Sequence, residues 1–259
     1  MPVVTHPAIR AMGGYLRDAR ERRCILPEEP AELLNVSPES VLAMEAGHTQ
    51  ITPQHIGLLC RLYHCNSDSD ALKHLVSAAI HRSADVADAA SGHHRRLTGC
   101  ARQAKAVRWL ATDLVPPLVQ TAAYTHAIDS PPHALPDAPL PFQTKPDILL
   151  DERVLHTASI SPDVMAEQLQ HLLDQEDFEV RVVPGRMPSR PARMVLMTMP
   201  AGFVIAHPAS HGVLYRPSEQ PPPQITETWN LTTPALSRHL LARAAEQQRA
   251  RIRVHAGAV

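Results

Sequence analysis

The chain has 259 residues, enough for one large domain or two ordinary ones, and its 44% hydrophobic and 20% charged content is that of a protein able to close a core. Only 3% is aromatic, which argues against gripping single-stranded nucleic acid by stacking bases on rings. A net charge of -1 gives no general pull toward DNA or an anionic membrane.

The charge is uneven, however. Residues 1–80 carry seven Lys/Arg against nine Asp/Glu, 81–110 six against two, and 237–259 five against one. Positive charge is thus concentrated in a middle connector and in the C-terminal tail. The opening residues, Met1 to His6, lack a basic stretch followed by an apolar one, so no secretory signal is expected. No run of about 18 uncharged apolar residues occurs, so no membrane span is expected and the cytoplasm is the expected compartment. Cys24, Cys60, Cys65 and Cys100 include no C-x-x-C pair, and neither a metal site nor a cofactor is expected.

In chain order, Ile9, Met12, Leu16 and Ala19 fall at helical spacing and predict a helix over 8–23, weakened by Gly13-Gly14. A second helix runs from Glu28 to Leu34, Asn35-Val36 makes a turn, and Ser37-Pro38 opens a third helix with a capping hydroxyl and a proline at the first position. That helix stops at Gly47. Thr52-Pro53 opens a fourth, which buries Ile56, Leu59 and Leu62, and a fifth covers 70–80. Residues 81–100 read as a polar, basic connector. Helical spacing returns over 101–112 and again over 118–128, and six prolines between Pro131 and Pro146 make a stiff loop.

Beyond that loop the pattern becomes mixed. Ile148-Leu149-Leu150 predicts a strand, Ser161-Pro162 opens an amphipathic helix to Leu173, and Phe178 to Val183 alternates as a strand. Residues 194–199, 203–206 and 212–215 predict three short antiparallel strands, Pro217 to Pro223 a second proline-rich loop, and 236–248 a closing helix with a fraying tail. The expected fold class is α+β: an all-helical helix-turn-helix bundle over 1–80, a connector over 81–100, and over 101–259 a mixed α/β domain with a mainly antiparallel sheet.

Several stretches carry a specific likeness. Met12-Gly13-Gly14-Tyr15-Leu16-Arg17-Asp18-Ala19-Arg20, Ala31 to Val41 and Met44-Glu45-Ala46-Gly47 resemble the Xre/Cro-type helix-turn-helix. Leu114 to Tyr124, Leu149 to Leu155, Val164 to Leu173, Val182-Val183-Pro184 and Val213-Leu214-Tyr215 resemble the C-terminal domain of unknown function that follows this motif in many actinobacterial, antitoxin-like regulators. The resemblance implies a dimeric transcriptional regulator that binds duplex DNA and senses a small molecule or a small partner protein encoded beside it. It also implies an internal ion pair between Arg17 and Glu45.

The DNA-facing residues depart from the family pattern. The first DNA-facing helix of the family opens with Thr or Ser and then Gln. Here Leu26 cannot cap through an oxygen, and Pro27 offers no N–H to a phosphate. Pro30 takes a usual Leu position. Ala43 and Ala46 stand where Arg or Lys is common, and neither reaches a base edge or neutralises a phosphate. Ser37, Glu39 and Ser40 remain as candidate DNA contacts.

No nucleophile motif or phosphate-cradling glycine loop is present, so no catalytic residue is assigned. Candidates for a ligand or partner pocket are Gln120, Thr121 and Tyr124 on one helical face, Asp151-Glu152 at a strand end, and His207, His211 and Tyr215 near a strand turn. Packing, capping and loop roles stand against each of them. Cys60 with His64 lacks a third metal ligand, and the neighbours His93-His94 point apart on a helix and read as a solvated pair. A DNA-binding regulator and a repurposed small-molecule binder or enzyme of secondary metabolism therefore both remain open.

Overall fold

A computed structural model describes residues 5–80, 84–128, 142–185, 193–209, 211–218, 220 and 222–256. Five helices come first: α1 (Pro7–Arg22), α2 (Glu28–Leu34), α3 (Pro38–Glu45), α4 (Pro53–Leu62) and α5 (Ser69–Ala78). Strand β1 (Val86–Asp88), α6 (His93–Arg102), β2 (Ala106–Ala111), α7 (Ala122–Ala127), β3 (Asp147–Asp151), α8 (Pro162–Asp174) and β4 (Glu179–Val183) follow. The chain ends with β5 (Met194–Met199), β6 (Gly202–Ala209), β7 (Gly212–Arg216), α9 (Pro223–Asn230) and α10 (Pro234–Ala256). An all-helical N-terminal region thus precedes a mixed α/β region, and no described helix is long and apolar enough to cross a membrane.

The helix starts follow from their caps. His6, Ser37 and Thr52 each accept a backbone N–H, from Ala8 (3.0 Å), Ser40 (3.2 Å) and His55 (3.2 Å), and each precedes a proline at the first helical position. Asn35 ends α2 in the left-handed conformation at φ 53°, which turns the chain into α3.

The chain divides into two compact units. The first draws on 1–107, 135–144 and 195–221. Its strands pair antiparallel in the order β1-β7-β6-β5, with Ala87 opposite Leu214, His207 opposite Leu214, and Leu196 opposite Ile205. Helix α1 is its axis, and most of its residues are buried. A Cβ on Gly13 would lie 2.7 Å from the carbonyl oxygens of Met44 and Glu45, and one on Gly14 would lie 2.8 Å from Met199 Cε and 3.3 Å from Cys100 Sγ. The two glycines that weaken the helix in isolation are thus what lets α3 close on one side and α6 with β5 on the other.

The second unit draws on 108–134, 145–194 and 222–259. Here β2, β3 and β4 are parallel, with Leu110 opposite Leu149 and Leu149 opposite Arg181. Ile148, Leu149 and Leu150 are all fully buried, as expected of a parallel strand covered on both faces. Helix α10 packs on α8 and β4. Thr232 and Ser237 lock its start to β4: the Thr232 hydroxyl donates to the Val182 carbonyl (2.7 Å), and the Val182 N–H donates to Ser237 Oγ (2.9 Å).

Some elements differ from expectation. Residues 101–112 are the end of α6 followed by β2: Trp109, Leu110 and Ala111 are buried in succession, so the strand shows no alternation and its apolar positions mimic helical spacing. The segment 81–100 contains β1 and most of α6, with Leu97 and Cys100 in the core. Helix α7 begins only at Ala122, after a 3-10 turn over Pro117–Val119. Proline at the first position opens α9 in the expected second loop, and α10 continues to Ala256 where fraying was expected. Most of the loop over 131–146, and most of the long turn that the sequence leads one to expect from Pro184 to Pro191, lies outside the described residues.

Candidate functional site

One buried ion pair holds α3 to α1. Arg20 of α1 grips Glu45 of α3 with Nε and Nη2, each 2.8 Å from a carboxylate oxygen. The Tyr63 hydroxyl donates to the same carboxylate (3.1 Å), and Arg20 Nη1 reaches the Ile25 carbonyl (2.8 Å). Burial works against the Arg20 charge, but the bonds to Glu45 outweigh it and raise its pKa above the ordinary value. The expected partner of Glu45 was Arg17. The structure corrects this: Arg17 turns outward along its own helix to Glu21 (2.8 Å). Arg20 lies two full turns from Gly13, on the face where α3 approaches most closely.

The outward surface of α2–α3 is acidic and apolar. No Lys or Arg occurs from Cys24 to Cys60. Glu28, Glu29, Glu32 and Glu39 are exposed, and so are Leu26 (64%), Leu33 (44%) and Leu42 (41%). Pro27 precedes α2 without a side-chain cap, as its chemistry requires, and Pro30 is buried. Ser37 is exposed, but its oxygen already caps Ser40 N–H and lies 3.2 Å from Ser40 Oγ. Glu39's own N–H and the Ser37 hydroxyl hold its carboxyl below the usual range, fixing a negative charge at the start of α3. Ala43 and Ala46 are half-buried on the same helix.

Two arginines of the basic segment, Arg96 and Arg102, are buried, whereas Arg95 is exposed. Arg96, 2% exposed, satisfies all five N–H groups: Nε and Nη2 on Asp88 (2.9 and 2.7 Å), Nη1 on Asp68 and the Ser91 carbonyl (2.8 Å), and Nη2 also on the Ala90 carbonyl (3.0 Å). Asp68 also accepts from Tyr15 (2.6 Å) and Arg95 (2.7 Å). Arg102 is buried beside Asp18, at 3.4 Å. This cluster joins α1, the 3-10 turn Asn66–Asp68, β1 and α6, and a segment of like charges hid it from sequence reasoning. The one available signal was the acids Asp68 and Asp88 flanking it.

The pocket candidates are not drawn together as one site. Gln120, Thr121 and Tyr124 pack around the start of α7. Thr121 caps Tyr124 N–H (3.2 Å), Gln120 donates to the Val115 carbonyl (2.6 Å), and the buried Tyr124 hydroxyl accepts Val115 N–H (3.2 Å). Buried Gln168 ties this turn to α8 through Thr121 N–H (2.7 Å) and the Val119 carbonyl (2.8 Å). Thr121 alone of the three lines a shallow depression of about 460 Å3 with Glu167, His171 and Arg249.

Asp151 is fully buried at the end of β3, where Arg153 holds both carboxylate oxygens (2.8 Å each); Glu152 accepts Gly185 N–H (2.6 Å). Tyr215 is buried opposite Ala206, whereas His207 pairs with Leu214 and so faces the other side of the sheet; His211 is exposed at the turn. Burial pushes the Tyr215 hydroxyl far above its ordinary pKa. Among the described residues no group of three His, Cys, Asp or Glu side chains could hold a metal ion. The strands and helix from β3 to β7 carry a recognisable pattern. Residues 141–220 match the family described as a domain of unknown function (DUF5753). No curated protein and no solved structure matches the chain. The matched DUF5753 segment contains Asp151, Glu152, His207, His211 and Tyr215, while Gln120, Thr121, Tyr124 and the whole α2–α3 surface lie outside it.

Proposed function

We propose that the chain is a transcription regulator of the Xre/Cro helix-turn-helix type, fused to a DUF5753 segment, whose α2–α3 face recognises a partner protein and holds DNA only weakly by itself. The absence of any Lys or Arg from Cys24 to Cys60, beside four exposed glutamates and three exposed leucines, carries this reading. Phosphate contacts supply most of the affinity of a DNA reader, and four carboxylates on the approaching face repel the backbone instead. Exposed leucines ringed by acids suit a basic partner with apolar anchors. The partner that the resemblance supplies is the small protein encoded beside such regulators.

Two titrations test this. Against its own upstream duplex at moderate salt, the chain should give only weak complexes, on the order of micromolar or poorer, without sequence preference. Co-expression with the small neighbouring protein should give a complex that Leu33→Glu and Leu42→Glu each break. A nanomolar, upstream-specific complex of the unmodified chain overturns the proposal. It would favour a second reading, a homodimer that holds DNA directly. The observation behind that alternative is the exposure of Arg249, Arg251 and Arg253 on α10.

A further inference from the structure

Two polar ridges face each other across a groove of about 490 Å3 between α4 and α5. Gln54, Gly57 and Arg61 follow one another at i, i+3 and i+7 on α4. Asn66, Ser69 and Lys73 repeat that spacing from the 3-10 turn Asn66–Asp68 into α5. The Lys73 side chain lies in ordinary contact range of Gly57. A Cβ there would stand 3.7 Å from Lys73 Cε and 4.0 Å from Nζ, so the lysine stem lies across the glycine and carries its ammonium into the groove.

Apart from Pro53 and Gly57, every lining side chain carries a donor. Arg61 offers a guanidinium fork, Lys73 an ammonium, Gln54 and Asn66 amide N–H groups and Ser69 a hydroxyl, while no lining residue is a carboxylate. Asp70 is the acid that reaches Lys73, at 3.3 Å, and it is itself 98% exposed, so solvent screens its hold on the ammonium. The groove is shallow and open, its volume within the small-molecule range, and its two cations stand out in a region whose neighbouring α2–α3 face has none.

We propose that this groove binds a small phosphate-bearing ligand of the size of a nucleotide, with Arg61 and Lys73 clamping the phosphate and Gln54, Asn66 and Ser69 donating to its remaining oxygens. Fork-and-point-charge recognition of this kind suits a phosphate better than a carboxylate, because three or more oxygens can be shared among the two cations and the neutral donors. The proposal is independent of what α2–α3 recognises.

The test is calorimetric titration of the full chain with inorganic pyrophosphate and with a nucleoside triphosphate, and a parallel arm with a random duplex. Saturable binding of either small probe is expected. Arg61→Gln and Lys73→Gln should each weaken it at least about tenfold, the loss of one charge-assisted contact. Both side chains meet solvent, so the thermal midpoint should hold. Asp70→Asn should tighten binding by releasing Lys73, a gain that damage to the fold would not produce. No saturation by millimolar probe overturns the proposal, and so does binding that the double variant leaves intact. Binding of the duplex alone, lost in the double variant, also overturns it by assigning the groove to a nucleic-acid backbone.

Discussion

Arg20 and Glu45 meet end to end between α1 and α3, two nitrogens on two oxygens, with the Glu45 side chain only 1% exposed. Such a fork leaves the carboxylate no alternative partner except the Tyr63 hydroxyl. Arg20→Ala should therefore cost about 3–5 kcal/mol of unfolding free energy, the penalty for stranding a buried charge. Arg20→Lys should recover only part of it, since an ammonium cannot reproduce the planar fork. Arg17→Ala breaks a half-exposed i, i+4 pair and should cost no more than about 0.5 kcal/mol. Urea unfolding of the three variants checks this, and equal losses at Arg17 and Arg20 would refute the assignment.

Gly13→Ala sets two effects against each other. In an open helix the change stabilises by up to about 1 kcal/mol. Here the new methyl meets two backbone oxygens at 2.7 Å, and neither can rotate away as a side chain would. Overpacking of that kind costs about 1–3 kcal/mol, so the net change should be destabilising. A thermal midpoint that rises in Gly13→Ala would show that α1 and α3 do not approach this closely.

His6 should make stability depend on pH. Its Nδ1 accepts the Ala8 N–H at the start of α1, so its Nε2 carries the proton and donates to the Ala84 carbonyl (2.8 Å). A charged ring would have no acceptor left for the cap. Burial, aided by the nearby Arg10 charge and opposed by the Ala84 bond, lowers its pKa from 6.5. A depressed histidine contributes stability that is present above about pH 6.5 and is lost as pH falls through the folded value. His6→Asn keeps a capping oxygen and does not titrate. Its unfolding free energy should therefore change less than that of the parent between pH 8 and 5, and parallel profiles would exclude His6 as the source.

What could be read from the sequence was what local chemistry decides. Ser37-Pro38 and Thr52-Pro53 announced α3 and α4 because capping involves only residues within one turn. The alternation before Val183 and the short strands near 196, 205 and 214 were legible for the same reason. Ala106–Ala111 was not, because a strand buried on both faces loses its period of two. Nor was the role of Arg96. One of its five bonds needs Asp68 to arrive from 28 residues away, and a basic run otherwise looks like a solvated face. The candidate site was half legible: the lack of cations at Ala43 and Ala46 is visible letter by letter, but the exposure of Leu33 and Leu42 beside them needed the packing of α2 on α3.

Restoring charge to α3 separates a lost DNA face from one that never faced DNA. Ala43 and Ala46 are half-buried at the edge of the surface that carries Glu39 and Leu42, so long side chains there can extend into solvent without disturbing Val41 or Met44 in the core. If α3 still approaches the duplex as the family's third helix does, Ala43→Arg with Ala46→Arg adds up to two phosphate contacts. The slope of log affinity against log salt should then steepen by about 0.9 for each contact. Affinity measured by fluorescence anisotropy at low salt should rise at least about tenfold, with the unfolding midpoint unchanged. A double variant that folds normally and binds no better, at the same salt slope, would mean that α3 does not lie against DNA.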